Sequence, residues 1–172
     1  MLFETARLVL RRWELADLDA AMAIYGDPEA MRYFGRGVAL SYSELEASLN
    51  KVIETYALTE LANYCITEKA GGAIIGHSGV HASNLGDEEA EADWAIARPF
   101  WGRGYATEAA RALFEHAFRL HGLSRIWAVA HRDNAPSFAV MKKLGMRFSS
   151  QLMRDEAPSV SYVVTREEFL LL

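Results

Sequence analysis

Apolar residues recur along this chain in two periods, and the alternation between them predicts the order of its elements. Leu8 and Leu10 alternate with Arg7, Val9 and Arg11, which predicts a strand over Arg7 to Trp13. Asp17 then caps a helical run through Ala20, Ala21, Ile24 and Tyr25, which Asp27-Pro28 ends. From Ser41 to about Leu58, Leu45, Leu49, Val52, Ile53 and Tyr56 fall on one helical stripe. Three strands follow, over Asn63 to Lys69, Ala73 to about His81, and Ala90 to Ala97. Gly71-Gly72 separates the first two, and Asn84 to Glu88, turned by Gly86, separates the second from the third.

The strongest periodicity comes next. Ala106, Ala109, Ala110, Leu113, Phe114, Ala117 and Phe118 share a stripe, with Thr107, Glu108, Arg111, Glu115 and Arg119 opposite, so an amphipathic helix runs to Gly122. A buried strand over Arg125 to Ala130 leads to a short helix from about Ala135 to Leu144, stopped by Gly145. Arg147 to Arg154 and Ser159 to Arg166 supply two closing strands. The order β-α-α-β-β-β-α-β-α-β-β is that of an α/β (α+β) domain: a mixed, mostly antiparallel sheet with an antiparallel meander first and a strand-helix-strand crossover after it.

Composition narrows the function classes. With 172 residues, 51% of them apolar, the chain is long enough to bury one sizeable core, and one domain over residues 1–172 is expected. A net charge of −5 argues against a phosphate-backbone binder, so no nucleic-acid partner is expected. The single cysteine, Cys65, admits no intramolecular disulfide and suits a reducing compartment. Glu4, Arg7, Arg11, Arg12 and Glu14 interrupt the first fifteen residues, and no uncharged apolar run is long enough for a bilayer. The expectation is a cytoplasmic protein with no membrane partner.

The candidate chemistry centres on Arg98-Pro99-Phe100-Trp101-Gly102-Arg103-Gly104-Tyr105-Ala106-Thr107, a strand end, a glycine turn and a helix start in succession. Small residues at 102, 104 and 106 leave backbone amides uncovered at a helix N-terminus, which is a cradle for phosphate or pyrophosphate. A turn that merely reverses the chain has the same composition. Neither the Walker A nor the dinucleotide-binding glycine pattern is present, which speaks against an ATPase or a dehydrogenase.

Ala90-Glu91-Ala92-Asp93-Trp94-Ala95-Ile96 followed by Trp101 to Ala109 resembles the central motif of the GNAT superfamily of acetyl-CoA-dependent N-acetyltransferases, nearest to the branch that acetylates ribosomal-protein N-termini. Thr5-Ala6-Arg7-Leu8, Leu10-Arg11, Ile75-Gly76, Asn134-Ala135-Pro136-Ser137 and Lys143-Leu144-Gly145-Met146 agree in order, so the resemblance spans nearly the whole chain and implies that family's fold, with helices on both faces of the sheet. It implies that the amides of Gly102, Arg103, Gly104, Tyr105, Ala106 and Thr107 hold the coenzyme A pyrophosphate. The strand end at Ile96 and Ala97 then pairs with the pantetheine arm like an added strand. Trp101 stands where the wider superfamily often has Gln or Arg, which leaves a backbone role there but weakens a side-chain one.

Acetyl transfer to an amine needs a base, an oxyanion donor and a proton for the leaving thiolate. Glu91 and Asp93, two apart on one strand, share a face. Glu91 matches the family's glutamate and is the expected base, since a carboxyl partly buried beside a ligand becomes a stronger one; Asp93 is the alternative, and a solubilising strand carboxylate is the plain reading. Ser137 resembles the serine near the thioester sulfur, a proton donor, and Asn134 the residue that bonds the pantetheine arm. Both residues also suit a helix start in their own right. A backbone N–H near Ile96 or Ala97 is expected to meet the oxyanion, and Arg103 and Lys143 to supplement the phosphates or simply to be solvated.

Cys65 reads as a small buried hydrophobe rather than a nucleophile. His77, His81, His116, His121 and His131 show no metal-ligand spacing with a carboxylate, so no metal is expected. Trp13, Tyr25, Tyr33, Phe34 and Trp94 suit either an acceptor pocket or the core, and residues 27 to 62 are expected to shape that pocket. The implied function is direct acetyl transfer in a ternary complex from acetyl-CoA to an amine, either a protein N-terminus or a small amine such as a polyamine, an antibiotic or an amino-acid-like metabolite. A non-catalytic acyl-CoA sensor is the alternative. Family members often pair, so a homodimer is admitted.

Overall fold

The computed structural model describes residues 2–82, 86 and 88–172. The expected turn over Asn84 to Glu88 therefore lies largely outside the described residues. Among the described residues, eight strands form one sheet in the order β1-β2-β3-β4-β5-β6-β8-β7. They are β1 (Leu2–Glu4), β2 (Leu8–Arg11), β3 (Asn63–Glu68), β4 (Ile74–Ala82), β5 (Glu89–Ile96), β6 (Arg125–His131), β7 (Arg147–Arg154) and β8 (Ala157–Thr165). Every neighbouring pair is antiparallel except β5–β6, the two strands joined by a long helical crossover.

Among the described residues, six α-helices accompany the sheet: α1 (Leu18–Tyr25), α2 (Pro28–Met31), α3 (Tyr42–Thr55), α4 (Tyr105–Leu120), α5 (Ala135–Lys143) and α6 (Arg166–Leu170). Side chains alternate across a strand, and this separates the helices by face. Tyr25 of α1 stacks on His77, whose register partner on β3 is Cys65. His116 of α4 meets Phe3, which packs on Tyr64, the next residue along β3 and so on the opposite face.

The stripe expected on α4 is the buried one: Ala109, Ala110, Leu113, Phe114, Ala117 and Phe118 are all in the core. Complete burial of residues such as Phe114 and Phe118 contributes about 1.5–3 kcal/mol each. Helix α3 starts where Ser41 and Glu44 form a reciprocal capping box, and it stops at Thr55, three residues short of the expected Leu58.

Three elements escape the sequence pattern. Strand β1 has only three residues, too few to show a period. Asp27-Pro28 ends one helix and also starts another, because the Asp27 carboxylate accepts the Glu29 N–H at 2.9 Å and Pro28 sits at the first helical position. Helix α6 begins with a second capping box, Thr165 with Glu168, at the point where the last strand was expected to continue to Arg166.

Candidate active site

The parallel pair β5–β6 is joined only from Glu89–Arg125 to Ala92–Ala128, although β5 continues to Ile96 and β6 to His131. Beyond Ala92, β5 keeps its partner β4 on one side and, among the described residues, has no strand partner on the other. The Ala97 N–H donates to Ile75 O at 2.8 Å, and Ala97 O accepts the Phe100 N–H at 2.9 Å. Both backbone groups of Ala97 are thereby engaged within the protein.

Backbone groups alternate in direction along a strand, so Ile96 points the other way, to the open side. Its carbonyl accepts the Trp101 indole N–H at 2.6 Å. Trp101 thus has a side-chain role after all: the indole occupies the backbone acceptor at the mouth of the splayed strands.

The turn that follows depends on its glycines. Gly102 and Gly104 take φ values of +74° and +81°, a left-handed region that a Cβ strains. Gly104 is the N-cap of α4 and has no side chain to satisfy the first helical amides. Among the described residues, no protein acceptor meets the N–H groups from Gly102 to Thr107. Convergent amides at the positive end of a sixteen-residue helix fit a pyrophosphate.

Side chains remote in sequence hold this turn. Glu108, in the first turn of α4, accepts the Thr5 hydroxyl at 2.6 Å, the Arg7 N–H at 3.0 Å and Arg7 Nε at 2.7 Å. Arg7 also donates to Arg103 O at 3.0 Å and lies over the Tyr105 ring. Burial alone would raise the Glu108 pKa, but these donors outweigh it and hold the carboxyl below its ordinary value. The Tyr105 hydroxyl donates to Glu68. Arg103 folds back onto Pro99 O, 3.1 Å away, and onto the Phe100 ring, while Lys143 is exposed at the end of α5.

Glu91 and Asp93 share one face of β5, as expected, but their surroundings differ. The Arg154 guanidinium, from the tip of the β7–β8 hairpin, binds both Glu91 oxygens, one at 2.8 Å. Asp93 faces two imidazoles: His81 Nε2 lies 3.4 Å from Oδ2 and His77 Nε2 3.6 Å from Oδ1. Burial pushes the Asp93 pKa up, yet the His81 hydrogen bond and both imidazoles reverse the sign and keep it low. His81 is itself raised: burial lowers it, and Asp93 more than compensates. His77, fully buried, is held below its ordinary value by desolvation. Its Nδ1 lies 2.7 Å from the Tyr25 hydroxyl, which burial keeps protonated.

A family model, the acetyltransferase (GNAT) domain, matches residues 7–147. The chain belongs to the GNAT acetyltransferase family. The uncharacterized N-acetyltransferase YnaD of Bacillus subtilis (strain 168) is 32% identical over 143 residues, 83% of this chain and 81% of that one. A solved GNAT-family acetyltransferase from Bacillus anthracis superposes with a TM-score of 0.85 at 25% identity, covering 98% of this chain and 100% of the other. The ribosomal L7/L12 alpha-N-protein acetyltransferase RimL, solved with coenzyme A, gives a TM-score of 0.83 at 15% identity, covering 96% and 98%. That likeness shows the fold alone, so the resemblance to the ribosomal branch is that of a distant structural neighbour.

This N-acetyltransferase keeps other expected residues in less decided positions. The Asn134 carboxamide oxygen accepts the Ser137 N–H at 3.3 Å, so Asn134 caps α5. Ser137 is half-buried in the first turn of that helix. Cys65 is wholly buried, and desolvation pushes its thiol up to about 12, so it is no thiolate nucleophile. Trp13 is core, whereas Tyr25 and Phe34 gather on His77, and Tyr33 stacks on His131 with ring centroids 5.2 Å apart.

Two features beside the candidate site were missed in the sequence. Arg7 lies in the Thr5-Ala6-Arg7-Leu8 stretch, where nothing local gives it a role, and its bonds to Glu108 and Arg103 supply one. The Tyr25–His77–Asp93–His81 chain left one signal, a His-Ser-Gly-Val-His run whose two histidines share a strand face at i, i+4.

Proposed function

We propose that this GNAT N-acetyltransferase moves the acetyl group of acetyl-CoA directly to a primary amine, in a ternary complex assembled across the splay of β5 and β6. The observation that carries the reading is the edge of β5 beyond Ala92, where the Ile96 N–H faces away from β4, running straight into the acceptor-less amides of Gly102 to Thr107. In this reading those amides hold the pyrophosphate, and Ile96, with Asn134 Nδ2, lines the pantetheine arm. The Ile96 N–H faces the side on which the acetyl oxygen develops charge.

Glu91 takes the amine proton as nitrogen bonds to the acetyl carbon. The carbon–sulfur bond then breaks, and the Ser137 hydroxyl returns a proton to the thiolate, to be replenished from solvent. The chain's net charge of −5 favours an acceptor that carries positive charge elsewhere while its reacting nitrogen enters as the neutral amine. A small polyamine-like acceptor fits that charge, and a protein N-terminus is the second candidate.

Two measurements test the proposal. Saturating acetyl-CoA, near 100 times its dissociation constant, should stabilise the protein by about 2.7 kcal/mol, seen as a rise in Tm of roughly 5–10 °C that ATP and NAD do not produce. Glu91→Gln should retain that rise while thiol release with an amine panel slows by about 100-fold or more. Unchanged turnover in Glu91→Gln with loss in Asp93→Asn moves the base to Asp93. Binding without thiol release for any amine would favour the sensor, an alternative to which the occupied Glu91–Arg154 pair lends its only support.

A further inference from the structure

Among the described residues, one trio of ligating side chains lies apart from the transfer site: Glu60, His116 and His121. The sequence hides it. His116 and His121 are five apart across the C-terminal end of α4, and Glu60 comes from the α3–β3 connection, so no short motif joins them. In the fold, Glu60 Oε2 stands 3.8 Å from His116 Nε2 and 3.9 Å from His121 Nε2, and all three donor atoms lie within 4.8 Å of one another. Both Nε2 atoms are buried and have no hydrogen-bond partner. One oxygen poised between two such nitrogens, too far for hydrogen bonding to either, leaves two costly orphaned groups unless something small sits among them.

Surrounding contacts fix the trio. The His116 ring packs edge-on against Phe3 at 4.6 Å, and its plane stands at 61° to that of His121. The Tyr64 hydroxyl donates to Glu60 O at 2.9 Å and anchors the backbone that carries the carboxylate. The side chains are 38%, 14% and 22% exposed, so the cluster borders solvent and has an entry path. Tetrahedral zinc with bonds of about 2.0–2.1 Å needs donors about 3.3 Å apart, a contraction within reach of side-chain rotation.

We infer that Glu60, His116 and His121 form a binding site for a late first-row divalent cation, zinc above all, with two imidazoles, one carboxylate and a remaining position open to water. Helix α4 is about 24 Å long, so the site lies at the opposite end from the glycine turn. There it ties the α3–β3 connection to the helix whose N-terminus bears the cofactor amides. The inference is independent of the acetyl-transfer reading.

The test uses untagged, full-length protein stripped with chelator and dialysed. Zinc competition against a chromophoric chelator should give one equivalent per chain, and Co2+ should give the intense visible bands of four-coordinate cobalt. Loss of even an outer-shell partner weakens metal sites about 10–100-fold, so His121→Asn and the more exposed Glu60→Gln should each weaken zinc by about 100-fold or more while the far-UV circular dichroism is kept. Absence of stoichiometric zinc binding, or binding unchanged in both variants, would overturn the site.

Discussion

At the residue scale, the cradle turns on backbone conformation. Gly104 combines φ = +81° with a Cβ position 3.7 Å from Arg7 Nη2, so valine there costs strain and sets a branched side chain beside the amides. Gly104→Val is expected to lose most coenzyme A affinity, read by isothermal titration, and to lower stability by about 1–3 kcal/mol, read by urea unfolding. Normal coenzyme A affinity in that variant would dismantle the proposed cradle. The same scale explains why Glu91 was legible and its partner was not. Its place on β5 follows from a motif, whereas Arg154 reaches it from 63 residues away.

At the element scale, the N-terminus of α4 is held by the β1–β2 connection through Thr5, Arg7 and Glu108. Glu108 is depressed in the folded protein, so its contribution is present above the unfolded carboxyl pKa and lost as pH falls through the lower folded value. Glu108→Gln should therefore narrow the gap in stability from the parent as pH drops from about 6 to about 3, and unfolding curves at several pH values follow it. A constant gap would show that the charge of Glu108 is not what holds the turn. Weaker acetyl-CoA binding at neutral pH should accompany this substitution, because the amides lose their brace.

At the scale of the whole molecule, the titrating groups oppose one another near neutrality. Buried His77, held low, favours folding more as pH rises to its unfolded value. His81, held high, contributes below its unfolded value and loses that contribution as pH rises through the folded one. Asp93, Glu108, Asp17 and Glu168 are all depressed and pull in one direction, toward loss of stability in acid. The expected profile is a Tm nearly level from about pH 6 to 8 that falls steeply below about pH 4.5, with scanning calorimetry as the check. A steep decline between pH 7 and 6 would mean that the imidazoles held low, His77 and His116, outweigh His81. No helix among the described residues is long and apolar enough to cross a membrane.

What the chain determined by itself is whatever repeats locally. The stripe from Ala106 to Phe118 announced α4, the glycine turns at Gly71-Gly72 and Gly86 announced the meander, and the glycines at 102 and 104 announced a turn with bare amides, because side-chain period and backbone sterics act within a few residues. Where the pattern failed, the element was too short to show a period, as in β1, or a cap restarted a helix at once, as at Asp27-Pro28. Tertiary structure alone decided which groups are free and which are spent. It took Ala97 for Ile75, set Trp101 on Ile96, paired Glu91 with Arg154, and assembled Tyr25, His77, Asp93 and His81 from three elements. Hydrogen-bond partners and burial depend on neighbours that the fold brings from far along the chain. Motif spacing therefore proposed a site, and only the packed sheet gave each of its groups a partner or left it open.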